Sequence, residues 1–262
     1  MPSINIDEYS NINSIINRRD PRIKIILFFL FILIILSTRP ELFLVFVIYA
    51  VIIFVLMLLS KIPIKFIIKR SLVIIPFVIM IAIFTPFLKK GEIAGGYSLG
   101  NIKLNVSYDG LMVFWNVLIK SYLSILCMIL LTASTKFSDL LKAFEKLKIP
   151  RLIVILLSFT YRYIFVFQDE LQSMTRAKES RSYGKKRWIN FKTLANMVGV
   201  LFIRAYERGE RVYYAMRSRG FEGSIKTMTD MTLTKSDIYF LSVIVTILIL
   251  IRILSEWTVH LL

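Results

Sequence analysis

Two arginines, each between small residues and near the end of a basic helical segment, have the clearest potential for recognition chemistry. The two sites read Ser180-Arg181-Ser182 and Ser218-Arg219-Gly220. An arginine at a helix C-terminus can simply complement the helix dipole, with a following glycine as its cap. Two matching sites favour another interpretation, because small neighbours let a partner approach and a guanidinium then binds its carboxylates or other acceptors. The pattern indicates a docking device for another protein.

Carboxylates also occur in this region. Asp169 and Glu170 are adjacent, a pairing that can support acid/base catalysis. They follow an apolar stretch, with no nucleophile or histidine nearby, so we expect a salt bridge to the other basic helix. Glu207 and Arg211 are four residues apart and predict an ion pair that supports a helix by a few tenths of a kcal/mol.

The sequence lacks the residue sets that other functions require. It has one cysteine, Cys127, and one histidine, His260, and no cluster with metal-ligand spacing. The glycines between 95 and 100 are not followed by the Lys-Ser/Thr of a phosphate-binding loop. The basic run 176–187 has no RNA-binding signature and is typical of membrane proteins facing anionic lipid. We therefore expect no metal, nucleotide or nucleic acid on this chain, and contact with membrane lipid.

Composition defines the class of protein. Of the 262 residues, 56% are hydrophobic, and the formal net charge is +17. The mean hydropathy is +0.69. Several nearly uncharged runs approach the roughly 20 residues that cross a bilayer. These values predict an all-α integral membrane protein, with the positive charge concentrated in cytoplasmic segments.

Five membrane spans are predicted. They cover residues 23–37, 42–59, 71–88, 111–133 and 237–254. Asp20 and Pro21 suit the N-cap and first position of the first helix. The loop 89–110 is rich in glycine, and Lys120 is the only charge in the fourth span, where either snorkelling or a partner helix could accommodate it.

The segment 151–167 is apolar enough to be a sixth span but short, and it continues without a break into a charged helix. We favour a long helix at the membrane interface over a true span. With five spans, the basic segments 18–24, 60–70 and 136–235 all fall on one side. The positive-inside rule then places the N-terminus and residues 136–235 in the cytoplasm and the C-terminus outside.

The motifs resemble those of a known family, the transmembrane T components of energy-coupling factor transporters, with the cobalt-transport, CbiQ-like branch the nearest. The most specific run is 204–223, which reads RAYERGERVYYAMRSRGFEG. Shorter matches lie at residues 6–10, 20–24, 137–141, 149–150 and 161–163, together with the two arginine sites. The first site has Ser180 and Ser182 where family members often show Ala and Gly.

The resemblance implies long coupling helices inserted before the last span, in a multi-pass protein of the cell membrane. The implied domains are 1–135 (lead-in and four spans), 136–235 (cytoplasmic coupling domain) and 236–262 (last span). Two ATP-binding cassette subunits would receive the arginine sites, namely Ser180, Arg181, Ser182, Ser218, Arg219 and Gly220. A substrate-binding S component would lie on the apolar stretch from Leu152 to Phe167 of the first coupling helix, at Leu152, Ile155, Leu156, Phe159 and Tyr163.

The same resemblance implies that the chain is no enzyme and binds no cofactor, since ATP is hydrolysed on the partner subunits. Cobalt is the expected substrate, with nickel and a vitamin as alternatives within the class. A membrane scaffold that docks a cytosolic partner through its basic helices is the alternative from a different class.

Overall fold

A computed structural model describes residues 12, 14, 16–40, 42–88, 93–99, 102–181, 191–223 and 233–260. In these ranges the chain is mainly helical, and the predicted all-α membrane class is confirmed. The helices are α1 (Pro21–Ser37), α2 (Phe43–Ser60), α3 (Ile64–Ala82), α4 (Thr85–Leu88), α5 (Tyr108–Ser134), α6 (Phe137–Lys146), α7 (Arg151–Arg181), α8 (Phe191–Ser218) and α9 (Lys235–His260).

The start of α1 follows the sequence prediction. The Asp20 carboxylate accepts a hydrogen bond from the Arg22 amide at 2.9 Å, and Pro21 occupies the first helical position. Such a cap satisfies one of the amides that a helix N-terminus leaves without an intrahelical partner.

The structure differs from the sequence prediction at two places. The glycine-rich loop contains an antiparallel hairpin of β1 (Ile93–Leu99) and β2 (Ile102–Ser107), in which Tyr97 pairs with Leu104. Ile102, Leu104 and Val106 alternate with polar residues, which is the pattern of a strand. The predicted span 71–88 is not one continuous helix, because α3 starts seven residues before it, at Ile64, and ends at Ala82 before the separate helix α4.

Four helices in the described part of the chain are long and apolar enough to cross a membrane: α2, α5, α7 and residues 235–256 of α9. Helices α1 and α3 are not among these four, because α1 has only 17 residues and α3 carries three basic residues in its first two turns. Helix α7 qualifies by length and composition, so its placement at the membrane interface stays a prediction.

Packing divides the chain into two units. The first comprises 1–140 and 231–262, and the second comprises 141–230. Helix α5 is central to the first unit, where it contacts α1, α2, α3 and α4. Its core includes Phe31, Tyr49, Leu130 and Leu248, all fully buried. Many outward-facing side chains of α1, α2 and α3 are large and apolar, which suits helices that face lipid.

Candidate docking surfaces on α7 and α8

Helices α7 and α8 form the body of the second unit. Pro150 precedes α7, and neither proline nor glycine interrupts its 31 residues. At 1.5 Å per residue, α7 and α8 are about 46 and 42 Å long. Val154 and Met197 are their buried residues. The two helices therefore leave most of their surface exposed within the chain itself.

Charged side chains join the two helices. Glu170 of α7 forms an ion pair with Arg204 of α8, which confirms the expected salt bridge to the second basic helix. Arg208 lies over the ring of Tyr163, with its guanidinium carbon 5.9 Å from the ring centroid. On α8 itself, Glu207 and Arg211 form the predicted ion pair at 3.7 Å. Both inter-helix contacts place α8 cations against α7 residues on one shared face.

An apolar groove of about 350 Å³ runs along that face. It is lined by Leu156, Phe159, Thr160, Tyr163, Ile164, Phe167, Ala205, Arg208 and Gly209. The groove includes three residues of the predicted partner surface, Leu156, Phe159 and Tyr163. The other two, Leu152 and Ile155, are not among its lining residues.

The lining residues Thr160, Ile164 and Phe167 fall within the expected stretch 152–167, whereas sequence reasoning assigned no residue of α8 to this surface. The α7 lining follows spacings of three and four, which mark one face of a helix. Ala205, Arg208 and Gly209 follow the same spacing on α8. Within the stretch 152–167, helical periodicity starting from Leu156 selects the residues on the α7 side of the groove.

Aromatic contacts stiffen the α7 side. The rings of Phe159 and Tyr163 are 6.5 Å apart, and those of Tyr163 and Phe167 are 6.1 Å apart. Aromatic pairs at such distances contribute about 0.5–1.5 kcal/mol beyond their burial. The three rings together form a continuous apolar side of the groove.

The C-terminus of α8 displays Arg219 through a specific cap. The Gly220 amide donates to the Arg217 carbonyl at 3.0 Å, and the Phe221 amide donates to the Met216 carbonyl at 3.1 Å. Gly220 has φ of 77°, a left-handed conformation that favours glycine. These two bonds form a Schellman motif. Ser218 and Arg219 are exposed beside it.

The end of α7 shows the other arginine site in part. Arg181 is the last residue of the helix and is exposed. The Ser180 hydroxyl donates to the Arg176 carbonyl at 3.0 Å. Ser182 lies outside the described residues, so the comparison of the two sites extends only to Arg181. The docking role of both sites stays a prediction.

Across the described ranges, no group of three or more His, Cys, Asp or Glu side chains could hold a metal ion.

The fold and these surfaces define an all-α membrane protein whose second unit displays an apolar groove and two arginine-bearing helix ends. The family model described as cobalt transport protein, CbiQ, matches residues 12–231. The chain belongs to this CbiQ family.

Three relatives illustrate the range of similar proteins. An EcfT protein of Staphylococcus aureus, named an energy-coupling factor transporter transmembrane protein, is 30% identical over 84% of this chain and 85% of its own. The cobalt transport protein CbiQ of Rhodobacter capsulatus is 25% identical over 38% of this chain and 41% of its own. An uncharacterised protein of Methanocaldococcus jannaschii is 30% identical over 58% of this chain, and the match spans 53% of that protein.

Proposed function

We propose that this T component transmits ATP-driven movement from two ATP-binding cassette subunits to a membrane-embedded S component, for the uptake of cobalt. The carrying observation is the α7–α8 pair, which displays Arg181 and Arg219 at helix ends and an apolar groove along one face. One module thereby offers separate surfaces to two kinds of partner. The chain itself is no enzyme, and ATP binds to the partner subunits.

The arginine sites are the surfaces for the ATP-binding subunits. Arg181 and Arg219 are both exposed. A planar guanidinium forms paired hydrogen bonds with carboxylates, and small neighbours such as Ser180, Ser218 and Gly220 allow close approach. The left-handed cap at Gly220 ends α8 sharply, so that Arg219 lies at its tip. We place these sites and the N-terminus on the cytoplasmic side. The basic segments all fall on one side of the five predicted spans, and positive segments of membrane proteins remain in the cytoplasm.

The groove is the surface for the S component. Its lining is apolar except for Arg208 and Thr160, which suits a membrane helix rather than a soluble ligand. Leu152 is 68% exposed and Leu156 is 56% exposed, so the apolar face of α7 extends beyond the groove toward the helix start. An S component covering this face would remove from water a surface that the chain leaves bare.

Co-purification tests the docking proposal. The Arg181→Ala, Arg219→Ala double variant is purified in mild detergent, with the ATP-binding subunits co-expressed. Losing a hydrogen bond to a charged group costs about 1.5–3 kcal/mol, or tenfold or more in affinity per arginine. We expect the ATP-binding subunits to be lost while the chain stays folded.

The matched control is Arg176→Ala with Arg217→Ala. These two exposed arginines lie in the same helices, so the same charge is removed. We expect this control to retain both subunits. Normal co-purification of the Arg181 and Arg219 double variant would refute the docking proposal.

Competition between Co²⁺ and Ni²⁺ in cells that express the whole transporter tests the substrate, and stronger uptake of Ni²⁺ would contradict the cobalt assignment.

A further inference from the structure

The segment from Arg19 to Lys24 contacts both stretches of the first unit that lie next to its borders in the chain. The first unit ends at Leu140 and resumes at Met231, so two covalent connections join the units. Ser134 and Thr135 lie just before the first border, and 234–237 lie just after the second. Both stretches belong to the first unit, and both make contacts with this segment.

Lys24 contacts the stretch before the first border. It is 3% exposed, and its ammonium donates to the Ser134 carbonyl at 3.1 Å and the Thr135 hydroxyl at 3.4 Å. The third bond goes to the Asn17 carbonyl at 3.1 Å. An ammonium has three donors, so all of its capacity is used. These bonds fasten the turn between α5 and α6 to the first turn of α1.

Arg19 contacts the stretch after the second border. Its guanidinium donates to the Ser236 hydroxyl at 2.6 Å and to the Asp237 carboxylate at 3.2 Å. The guanidinium carbon also lies 5.2 Å from the centroid of the Phe240 ring. Asp237 accepts a further bond from the Thr234 hydroxyl at 2.6 Å. The start of α9 is thereby fastened to the residue before the cap of α1.

The link between the two contacts is short and stiff. Asp20 caps the Arg22 amide, and Pro21 restricts the backbone at the helix start. Burial disfavours the charged form of the Lys24 ammonium, and the negative charges of Asp139, Asp20 and Asp237 oppose that effect. Apolar side chains could fill this space at lower desolvation cost, since a buried cation is unfavourable unless its partners compensate. The charged side chains of this segment therefore have a role other than filling the core.

We propose that residues 19–24 form a brace that holds both border stretches at fixed positions in the first unit. The inference rests on the proposed coupling function. Without the brace, each border would bend independently when the second unit is moved. With it, force that enters along either connection is delivered to α1, α5 and α9 together. Arg19 and Lys24 are positioning residues, since they act through the border stretches.

Hydrogen exchange tests the brace in the purified full chain, without any partner. Arg19→Gln and Lys24→Met are compared with Arg18→Gln, a matched control at an exposed neighbouring residue. We expect amides at 234–240 to exchange about tenfold faster in Arg19→Gln, and those at 135–140 in Lys24→Met, since loss of a charged hydrogen bond weakens local closure by about that factor. Exchange in α2 should be unchanged. Unchanged exchange at both stretches would overturn the proposal.

Transport tests its consequence. In reconstituted complexes, Arg19→Gln should keep the ATP-binding subunits and ATP hydrolysis while Co²⁺ uptake falls about tenfold. The charge-reversed pair, Arg19→Asp with Asp237→Arg, should recover part of the uptake. A parallel loss of folded protein and subunits would indicate a merely structural role and reject the brace. If the unaltered chain does not retain ATP-binding subunits, the proposed function fails, while the exchange experiment still decides on the brace.

Discussion

At the scale of single residues, Lys120 shows how a cation is held within an apolar helix. Its ammonium donates to the Leu36 carbonyl at 2.9 Å and the Thr38 carbonyl at 2.6 Å. It also lies 6.0 Å from the centroid of the Phe46 ring. The last carbonyls of a helix have no intrahelical partner, so the lysine supplies donors that the end of α1 needs. Of the two roles considered for Lys120, the partner helix is the one observed.

Lys120→Met should therefore destabilise the membrane unit. Removing hydrogen bonds from a charged donor costs about 1.5–3 kcal/mol, and the two carbonyls lose their donor. We expect a lower Tm in detergent than for Lys136→Met, which removes an exposed lysine after the same helix. Equal Tm values for the two variants would show that the bonds contribute nothing to stability.

At the scale of elements, Gly209 lines the groove between α7 and α8, and the chain's own packing does not require a glycine there. A Cβ added at Gly209 would meet no atom within 4 Å, and Gly209 lines the groove. Glycine in the middle of a helix costs about 1 kcal/mol relative to alanine. We infer that the small residue keeps the groove open for its occupant.

The Gly209→Leu variant tests the role of the groove independently of the arginine sites. A leucine side chain would fill part of the groove, so we expect the S component to be lost from purified complexes while the ATP-binding subunits remain. Gly199→Leu is the matched control, because Gly199 lies on the same helix, also has open space around it, and is absent from the groove. Both variants should be at least as stable as the parent chain, because leucine favours helix more than glycine. Retention of the S component by Gly209→Leu would contradict the proposed use of the groove.

At the scale of the whole molecule, the orientation in the membrane rests on the distribution of Lys and Arg. Positive segments remain on the cytoplasmic side of membrane proteins, and this rule predicts that Lys61 lies inside and Arg39 outside. Both residues are exposed in the structure, whereas Cys127 is buried and gives little background. The chain is therefore suited to labelling at single introduced cysteines.

In intact cells, a membrane-impermeant maleimide should label Arg39→Cys, whereas Lys61→Cys should react only after permeabilisation. Arg176→Cys, near the exposed end of α7, should behave like Lys61→Cys if α7 lies at the cytoplasmic interface. Labelling of Arg176→Cys from outside would show that α7 crosses the membrane and would correct the predicted topology.

Features that depend on neighbours a few residues apart follow from the amino-acid sequence alone. The Asp20 cap, the apolar helices and the Glu207–Arg211 pair could be predicted because hydrogen bonds and side-chain contacts within a helix act over three or four positions. The same local information was present for the β1–β2 hairpin, where alternation in β2 was outweighed by the glycines. The long arginine-tipped helices also followed from local pattern and resemblance.

Only the tertiary structure decided which distant residues meet. Lys24 contacts residues 110 and 111 positions away, Arg19 contacts residues 217 and 218 positions away, and Lys120 contacts residues 82 and 84 positions away. The groove likewise requires α7 and α8 to pack with one register and one face. Many pairings would satisfy the same cations and apolar stripes, and packing of whole helices selects one of them. Local periodicity therefore could not identify the brace or the α8 side of the groove.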